Sequence, residues 1–167
     1  MPVSIHLRPD VTLDMSLKEY QAKRDFKKTK EPEGSVKPSP GLGGIYVIQK
    51  HQATHLHFDL RLEMNGVLRS WALPKSPPLQ ASVKRLAVQT EDHPMDYGNF
   101  EGVIPEGEYG AGKVEIWDRG RFKPIEADEN KIVFTIDGKK LKGDYCLIKL
   151  RPKVDQKNWL FFKKKRC

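Results

Sequence analysis

Residues 55–63 read His55-Leu56-His57-Phe58-Asp59-Leu60-Arg61-Leu62-Glu63, and apolar and polar side chains alternate through them without a break. A period of two belongs to a β-strand, in which successive side chains point to opposite faces. Leu56, Phe58, Leu60 and Leu62 therefore share one face, and His55, His57, Asp59, Arg61 and Glu63 the other. Any half-exposed strand alternates in this way. The choice of polar types is less ordinary: two imidazoles, a carboxylate and a guanidinium solvate a strand poorly but suit a metal and a phosphate.

The same short, β-rich texture extends on both sides. Candidate strands are 45–50, 55–64, 67–73, 85–90, 113–118, 131–136, 143–151 and 158–163. Asn65-Gly66 predicts a two-residue hairpin turn, because both turn positions need φ > 0, and Asp137-Gly138 predicts a second. About eight strands at this spacing, with no helical pattern between them, predict a barrel or a sandwich. Residues 92–112 are turn-rich and long enough to form a functional loop. Ahead of the strands, Ser16 and Glu19 form a capping-box pattern, and Leu17, Tyr20 and the stem of Arg24 follow at helical spacing. A short helix over Ser16–Phe26 is expected. Residues 27–43 then collect Pro, Gly, Ser and Lys, the composition of a loop or tether. The expected organisation is an N-terminal helix and tether over 1–43 and a β-domain over 44–167.

The chain of 167 residues is long enough to enclose one hydrophobic core, and 38% apolar with 31% charged residues suits a folded chain. No run approaches the ~18 apolar residues of a membrane span, and no signal-peptide h-region opens the sequence. Cys146 and Cys167 cannot make a disulfide framework or a four-cysteine zinc site. These features predict a cytoplasmic location. The net charge of +8 is concentrated late: residues 151–167 hold seven basic residues against one acidic. Such an end can grip a nucleic acid through its phosphates, or it can be a solvated tail.

On a strand, residues two apart lie only ~6.5–7 Å from one another, so His57 and Asp59 can reach one cation. His51 shares their parity, although the loop-like Gln52-Ala53-Thr54 leaves its direction open. Imidazole and carboxylate without thiolate suit Mn²⁺, Fe²⁺ or Zn²⁺ better than Ca²⁺. Arg61 stands where its planar fork can hold a second phosphate oxygen, or can pair with Glu63. Glu91, His93 and Tyr97 add a carboxylate, an imidazole and a phenol nearby in sequence.

At this point the residues resemble a known family, the 3′-phosphoesterase domain of bacterial DNA ligase D. The resemblance rests on Val47-Ile48-Gln49-Lys50-His51, His57 to Glu63, Ser70-Trp71-Ala72-Leu73-Pro74-Lys75, Val83-Lys84-Arg85-Leu86-Ala87 and Glu91-Asp92-His93-Pro94-Met95-Asp96-Tyr97. Phe100 to Pro105, Gly107 to Gly112, Trp117 to Gly120, Lys23 to Phe26 and Thr29 to Pro32 continue it. It implies an all-β fold, a single closed or nearly closed barrel of about eight strands with a short N-terminal helix and long loops. It also implies a manganese-dependent hydrolase that removes a 3′-terminal ribonucleoside from DNA and then the 3′-phosphate left behind. His51, His57 and Asp59 are its implied metal ligands, and Arg61 and His93 its phosphate contacts. Gln49, Lys75, Arg85, Glu91 and Tyr97 would line or support the site, and Arg24, Asp25 and Glu31 would bring in the N-terminal segment. Parity alone would nominate His55 over His51, so here the resemblance corrects the pattern.

Two other readings fit the bare residues. His57-x-Asp59 with a later His93 has the order of a two-histidine, one-carboxylate iron site in a jelly-roll oxygenase. The basic tail also fits a non-enzymatic nucleic-acid-binding barrel. No Lys-x-Asp-Gly nucleotidyl-transfer motif occurs. The expectation is thus a free-standing, monomeric phosphoesterase whose partners are DNA 3′ ends and, as separate chains, a ligase or polymerase.

Overall fold

The computed structural model describes residues 17–34 and 42–165. A single-turn helix, α1 (Lys18–Ala22), precedes nine strands: β1 (Leu42–Gln52), β2 (Leu56–Met64), β3 (Val67–Leu73), β4 (Lys84–His93), β5 (Gly102–Ile104), β6 (Gly112–Ala127), β7 (Lys131–Gly138), β8 (Lys142–Lys149) and β9 (Asn158–Lys163). A 3₁₀ helix, Met95–Asn99, lies between β4 and β5. The sheet runs β1-β2-β3-β4-β9-β8-β7-β6-β5, and β1 also pairs with β6. That pairing closes an eight-stranded antiparallel barrel and leaves β5 riding on β6. Closure removes the exposed sheet edges that invite aggregation.

The alternation read from residues 55–63 is what sorts the two faces. Phe58, Leu60 and Leu62 join Tyr46, Ile48, Trp71, Phe134, Tyr145, Trp159 and Phe161 in one interior cluster to which all eight barrel strands contribute. Burying each such side chain is worth ~1.5–3 kcal/mol. Leu56, at the strand's first position, escapes the core and is half exposed. A second, smaller cluster sits outside the barrel wall: Tyr20, Leu68, Tyr97, Phe100, Ile104 and Val114, with Phe26 and Met95 against it. It fastens the N-terminal segment and the 3₁₀ helix to the outer faces of β3 and β6.

The Asn65-Gly66 turn forms as expected, with φ of 53° and 82°. The Asp137-Gly138 turn does not. β7 continues through Gly138, and the reversal falls on Lys139-Lys140, closed by Gly138 N–H donating to the Leu141 carbonyl at 3.0 Å. The cause is Asp118, whose buried carboxylate accepts the N–H groups of Lys139, Lys140 and Leu141. A Cβ on Gly138 would sit 2.5 Å from that carboxylate, so the glycine serves close approach.

The helix is shorter than Ser16–Phe26. After Ala22, Arg24 N–H turns back to the Gln21 carbonyl in a tighter i−3 bond that ends the regular spiral. Leu17 and Tyr20 are buried as their spacing predicts. Ser16 lies outside the described residues, and Glu19 pairs with Lys23 at 3.1 Å. Residues 27–34 hold no regular element. No helix among the described residues is long and apolar enough to cross a membrane.

Candidate metal centre and phosphate pocket

The β1–β2 register sets His51 directly opposite His57, Gln49 opposite Asp59 and Val47 opposite Arg61. His51, Gln49, His57, Asp59 and Arg61 consequently share the outer face of the barrel wall. One ligand atom each from His51, His57 and Asp59 lies within 4.8 Å of the others. His51 Nδ1 is 3.6 Å, His57 Nε2 3.3 Å and Arg61 Nη2 3.5 Å from the same oxygen, Asp59 Oδ2. Burial opposes ionisation of Asp59, yet Arg61 and the two imidazoles outweigh it and hold the carboxyl well below the usual carboxylate range.

These residues fit a cation because each imidazole is oriented from behind. His51 Nε2 sits 2.6 Å from the Gly110 carbonyl and His57 Nδ1 3.1 Å from the His55 carbonyl. A carbonyl only accepts, so each of those nitrogens carries the proton and the other nitrogen turns toward Asp59. That is the arrangement in which metal-binding histidines are held. His55 contributes its backbone and leaves its exposed side chain out of the cluster.

Arg61 is fixed on three sides. Its Nε donates to Gln49 Oε1 at 2.6 Å, its Nη1 to Ser70 Oγ at 2.7 Å, and its third nitrogen meets Asp59. Gln49 in turn donates to the carbonyls of Tyr97 and Phe100, tying the arginine to the 3₁₀ segment. Arg24 arrives from the N-terminal segment, pairing with Glu31 at 2.9 Å and Glu91 at 3.3 Å. The Tyr97 hydroxyl donates to Glu31 at 2.7 Å, and burial lifts its pKa well above the ordinary phenol value. Arg24 Nη2 lies 3.4 Å from His93 Nε2, while His93 Nδ1 faces the Glu91 carbonyl at 2.9 Å and Ser70 Oγ at 3.2 Å. Burial first, then Arg61 and Arg24, push the His93 pKa well below the usual imidazole value. His93 is therefore neutral at pH 7, with its Nε2 lone pair toward Arg24.

A cavity of about 280 Å³ opens between these groups, bounded by Arg24, His51, His57, Asp59, Arg61, Glu91, His93 and Tyr97. Gln49 and Glu31 stand behind it. Asp25, Lys75 and Arg85 do not line it. Asp25 is exposed and accepts the Lys27 N–H, Lys75 is exposed just after β3, and Arg85 Nε donates to the Ser76 carbonyl at 2.7 Å. Three participants escaped the sequence reading. Ser70 bridges Arg61 and His93, Lys23 binds Glu91 at 3.3 Å, and Tyr109 sits half exposed at the rim with Lys23 4.9 Å from its ring centroid. Ser70 shares a face with Ala72 and Leu68 opposite the core-facing Trp71, a signal that parity carried. Lys23 and Tyr109 lie on irregular segments where parity says nothing.

The oxygenase alternative needs His93 as the third ligand. Among the described residues the cluster is completed by His51, and His93 is engaged by Arg24, Ser70 and Glu91. The sheet is one closed barrel, not the two packed sheets of a jelly roll.

A family model of the DNA ligase D 3′-phosphoesterase domain matches residues 49–149. The chain belongs to that family. It is 48% identical over 156 residues to the multifunctional non-homologous end joining protein LigD of Pseudomonas aeruginosa, covering 89% of this chain and 18% of that protein. The LigD protein of Mycobacterium bovis is 44% identical over 147 residues (86% of this chain, 19% of the relative). That of Mycolicibacterium smegmatis is 43% identical over 165 residues (92% and 21%). The phosphoesterase domain thus spans about a fifth of the length of these relatives. The matched span holds all three residues of the candidate metal cluster, whereas Arg24 and Glu31 lie before its first residue.

Proposed function

We propose that this phosphoesterase domain is a metal-dependent hydrolase of DNA 3′ ends acting in break repair by end joining. It removes a 3′-terminal ribonucleoside to leave a 3′-phosphate, and then hydrolyses that phosphate to a 3′-hydroxyl. The observation that carries the reading is the convergence of His51, His57 and Asp59 on one point with Arg61 in the same cluster. A cation needs nitrogen and oxygen donors, and a phosphate beside it needs a fixed guanidinium.

His51 Nδ1, His57 Nε2 and Asp59 Oδ2 would hold the cation, with manganese as the proposed identity. When bound, it supplies a Lewis acid that neutralises phosphate oxygens and acidifies a water. Arg61 binds and orients the phosphate: Gln49 and Ser70 keep its guanidinium in place before substrate arrives, so little reorganisation accompanies the charge that develops during transfer. Arg24 closes the other side of the pocket, aligned by Glu31 and Glu91. His93 begins neutral because burial, and after it the two arginines that face it, disfavour its charged form. A phosphate's negative charge offsets them, which lets Nε2 take a proton and hold it against a phosphate or leaving oxygen. Lys75 and Arg85 are assigned to the DNA chain outside the pocket. Residues 17–34 act as a lid across the barrel wall, and the domain works as a monomer on the DNA end.

The deciding experiment is incubation with a primer–template carrying one 3′-terminal ribonucleotide, with and without Mn²⁺. The expected result is loss of the nucleoside followed by loss of the phosphate, both abolished by EDTA. Metal-independent turnover, or none with any divalent ion, overturns the assignment.

A further inference from the structure

Antiparallel closure gives the barrel two ends, and the register decides which residues stand at each. The end reached by His51 and His57 also collects residues 74–83, 105–111 and 139–141, the start of β4 and the finish of β9. The opposite end collects residues 65–66, 128–130 and 150–157, while 94–101 cross the outer wall to reach β5 beside the first end. On the first end, one arc runs from β4 through β9 and β8 to the β7–β8 turn. It carries Lys84, Lys163, Lys164, Lys139 and Lys140.

Three observations single out this arc. Among the described residues, none of its five ammonium groups has an ion-pair partner; Lys123, Lys153 and Lys157 share that property singly, and what marks the arc is that five such groups stand together at one end of the barrel. Second, the turn bearing Lys139 and Lys140 is rigid. Asp118 accepts their backbone N–H groups at 2.9 and 3.0 Å, that of Leu141 at 2.9 Å and the Tyr46 hydroxyl at 2.8 Å. A carboxylate engaged with backbone donors fixes the tip without neutralising its lysine side chains. Third, the arc's aromatics are already covered. Lys140 Nζ lies 4.4 Å from the Trp117 ring centroid and Lys84 Nζ 5.4 Å from that of Phe162.

We infer that this lysine arc is the docking surface for the duplex stem of the DNA whose 3′ end enters the pocket. The inference rests on the 3′-end reading and adds where the rest of the substrate lies. Unpaired ammonium groups on a rigid frame meet a polyanion with one charge per ~1.7 Å of axis, and each contact releases a counterion. A surface for single strands would present bare rings for bases to stack on. Here the rings are half-buried beneath lysines, so phosphate contact is what the arc offers.

The test compares two full-length variants matched in charge. One carries Lys84→Gln, Lys139→Gln, Lys140→Gln and Lys164→Gln. The other carries Lys123→Gln, Lys131→Gln, Lys153→Gln and Lys157→Gln, away from the arc. Affinity for a primer–template and for a single strand of the same 3′ sequence is measured across a salt series. The arc variant is expected to bind the duplex at least ~10-fold more weakly, with a log–log salt slope flatter by ~2 or more. The control variant should lose far less, and cleavage of a dinucleotide too short to reach the arc should match wild type. Equal losses in both variants would reduce the effect to net charge and overturn the arc. Unchanged duplex binding, or an equal loss on the single strand, would overturn it as well. Should the wild-type protein fail to release a 3′-ribonucleoside with Mn²⁺, the 3′-end reading falls while the binding comparison still judges the arc.

Discussion

The inner and outer faces of the β1–β2 hairpin are built by alternate residues of the same strands, yet they obey different rules. Inside, Tyr46, Ile48, Phe58, Leu60 and Leu62 pack with rings from across the barrel, and what matters is shape and volume. Outside, Gln49, His51, Asp59 and Arg61 are almost as well buried and His57 is partly exposed, but each is fixed by a specific partner and a specific atom. The outer face can afford buried charge only because β4, the N-terminal segment 17–34, the 3₁₀ helix and the 105–111 turn surround it with complementary groups. Among these are the Gly110 carbonyl, the Tyr97 hydroxyl and the Glu91 and Glu31 carboxylates. The hairpin therefore lends its rigidity, set by the interior, to the site on its outer wall.

That division is broken most sharply by deleting one metal ligand. His51→Ala should reduce metal-dependent activity below ~1% of wild type and weaken metal binding, with thermal stability nearly unchanged. His55→Ala, four residues along, should retain most activity. The check is a side-by-side turnover and metal titration; a severe His55 effect with a mild His51 effect would refute the register argument. The complementary change is Leu60→Ala inside the same hairpin. It should cost ~2–5 kcal/mol of stability, read by denaturant unfolding, while the folded fraction keeps its metal affinity.

Much of the interior was legible because a two-residue period and a hydrophobic face need only neighbours in sequence. Strand positions, the Asn65-Gly66 turn and the burial of Leu17 and Tyr20 followed from such local signals. The choice between His51 and His55 did not. It depends on how three residues, 53–55, bring β1 beside β2, and only the resulting pairing of His51 with His57 decides it. Family resemblance pointed to His51, which the candidate cluster contains, where parity pointed to His55. The Lys139-Lys140 turn was illegible for a similar reason: its determinant, Asp118, is more than twenty residues away. Lys23, Ser70 and Tyr109 join the pocket through contacts between elements, which no local pattern records.

A smaller effect is expected from removing the cover itself. A chain beginning near Gly41 keeps all the strands of the barrel and loses Arg24 and Glu31 from the pocket. It should remain folded by circular dichroism, with activity toward a 3′-ribonucleotide end reduced ~10-fold to 100-fold, the range of losing supporting contacts. Turnover equal to that of the full chain would show that Arg24, Asp25 and Glu31 have no part in the reaction and that the lid is dispensable.

The subtlest difference between the two faces is their response to acid. The interior holds nothing that titrates near neutrality, whereas His93 lies buried on the outer wall, facing Arg61 and Arg24. Burial and those two charges place its folded pKa below the unfolded value of ~6.5, so between the two the unfolded chain binds the extra proton. The stabilisation is therefore complete above about pH 6.5 and is lost as pH falls through and below that value. His57, shifted upward by Asp59 against its own burial, acts in the opposite sense, so total stability alone does not isolate His93. The difference between wild type and His93→Gln does. Glutamine keeps a polar side chain between Ser70 and Arg24 but does not titrate. Melting temperatures measured from pH 7.5 to pH 5 without added metal should fall more steeply for wild type than for the variant. Identical slopes would mean that His93 takes up its proton alike in the folded and unfolded chains, and a shallower slope for wild type that the folded protein holds the proton more tightly; either result would overturn the downward shift assigned to it.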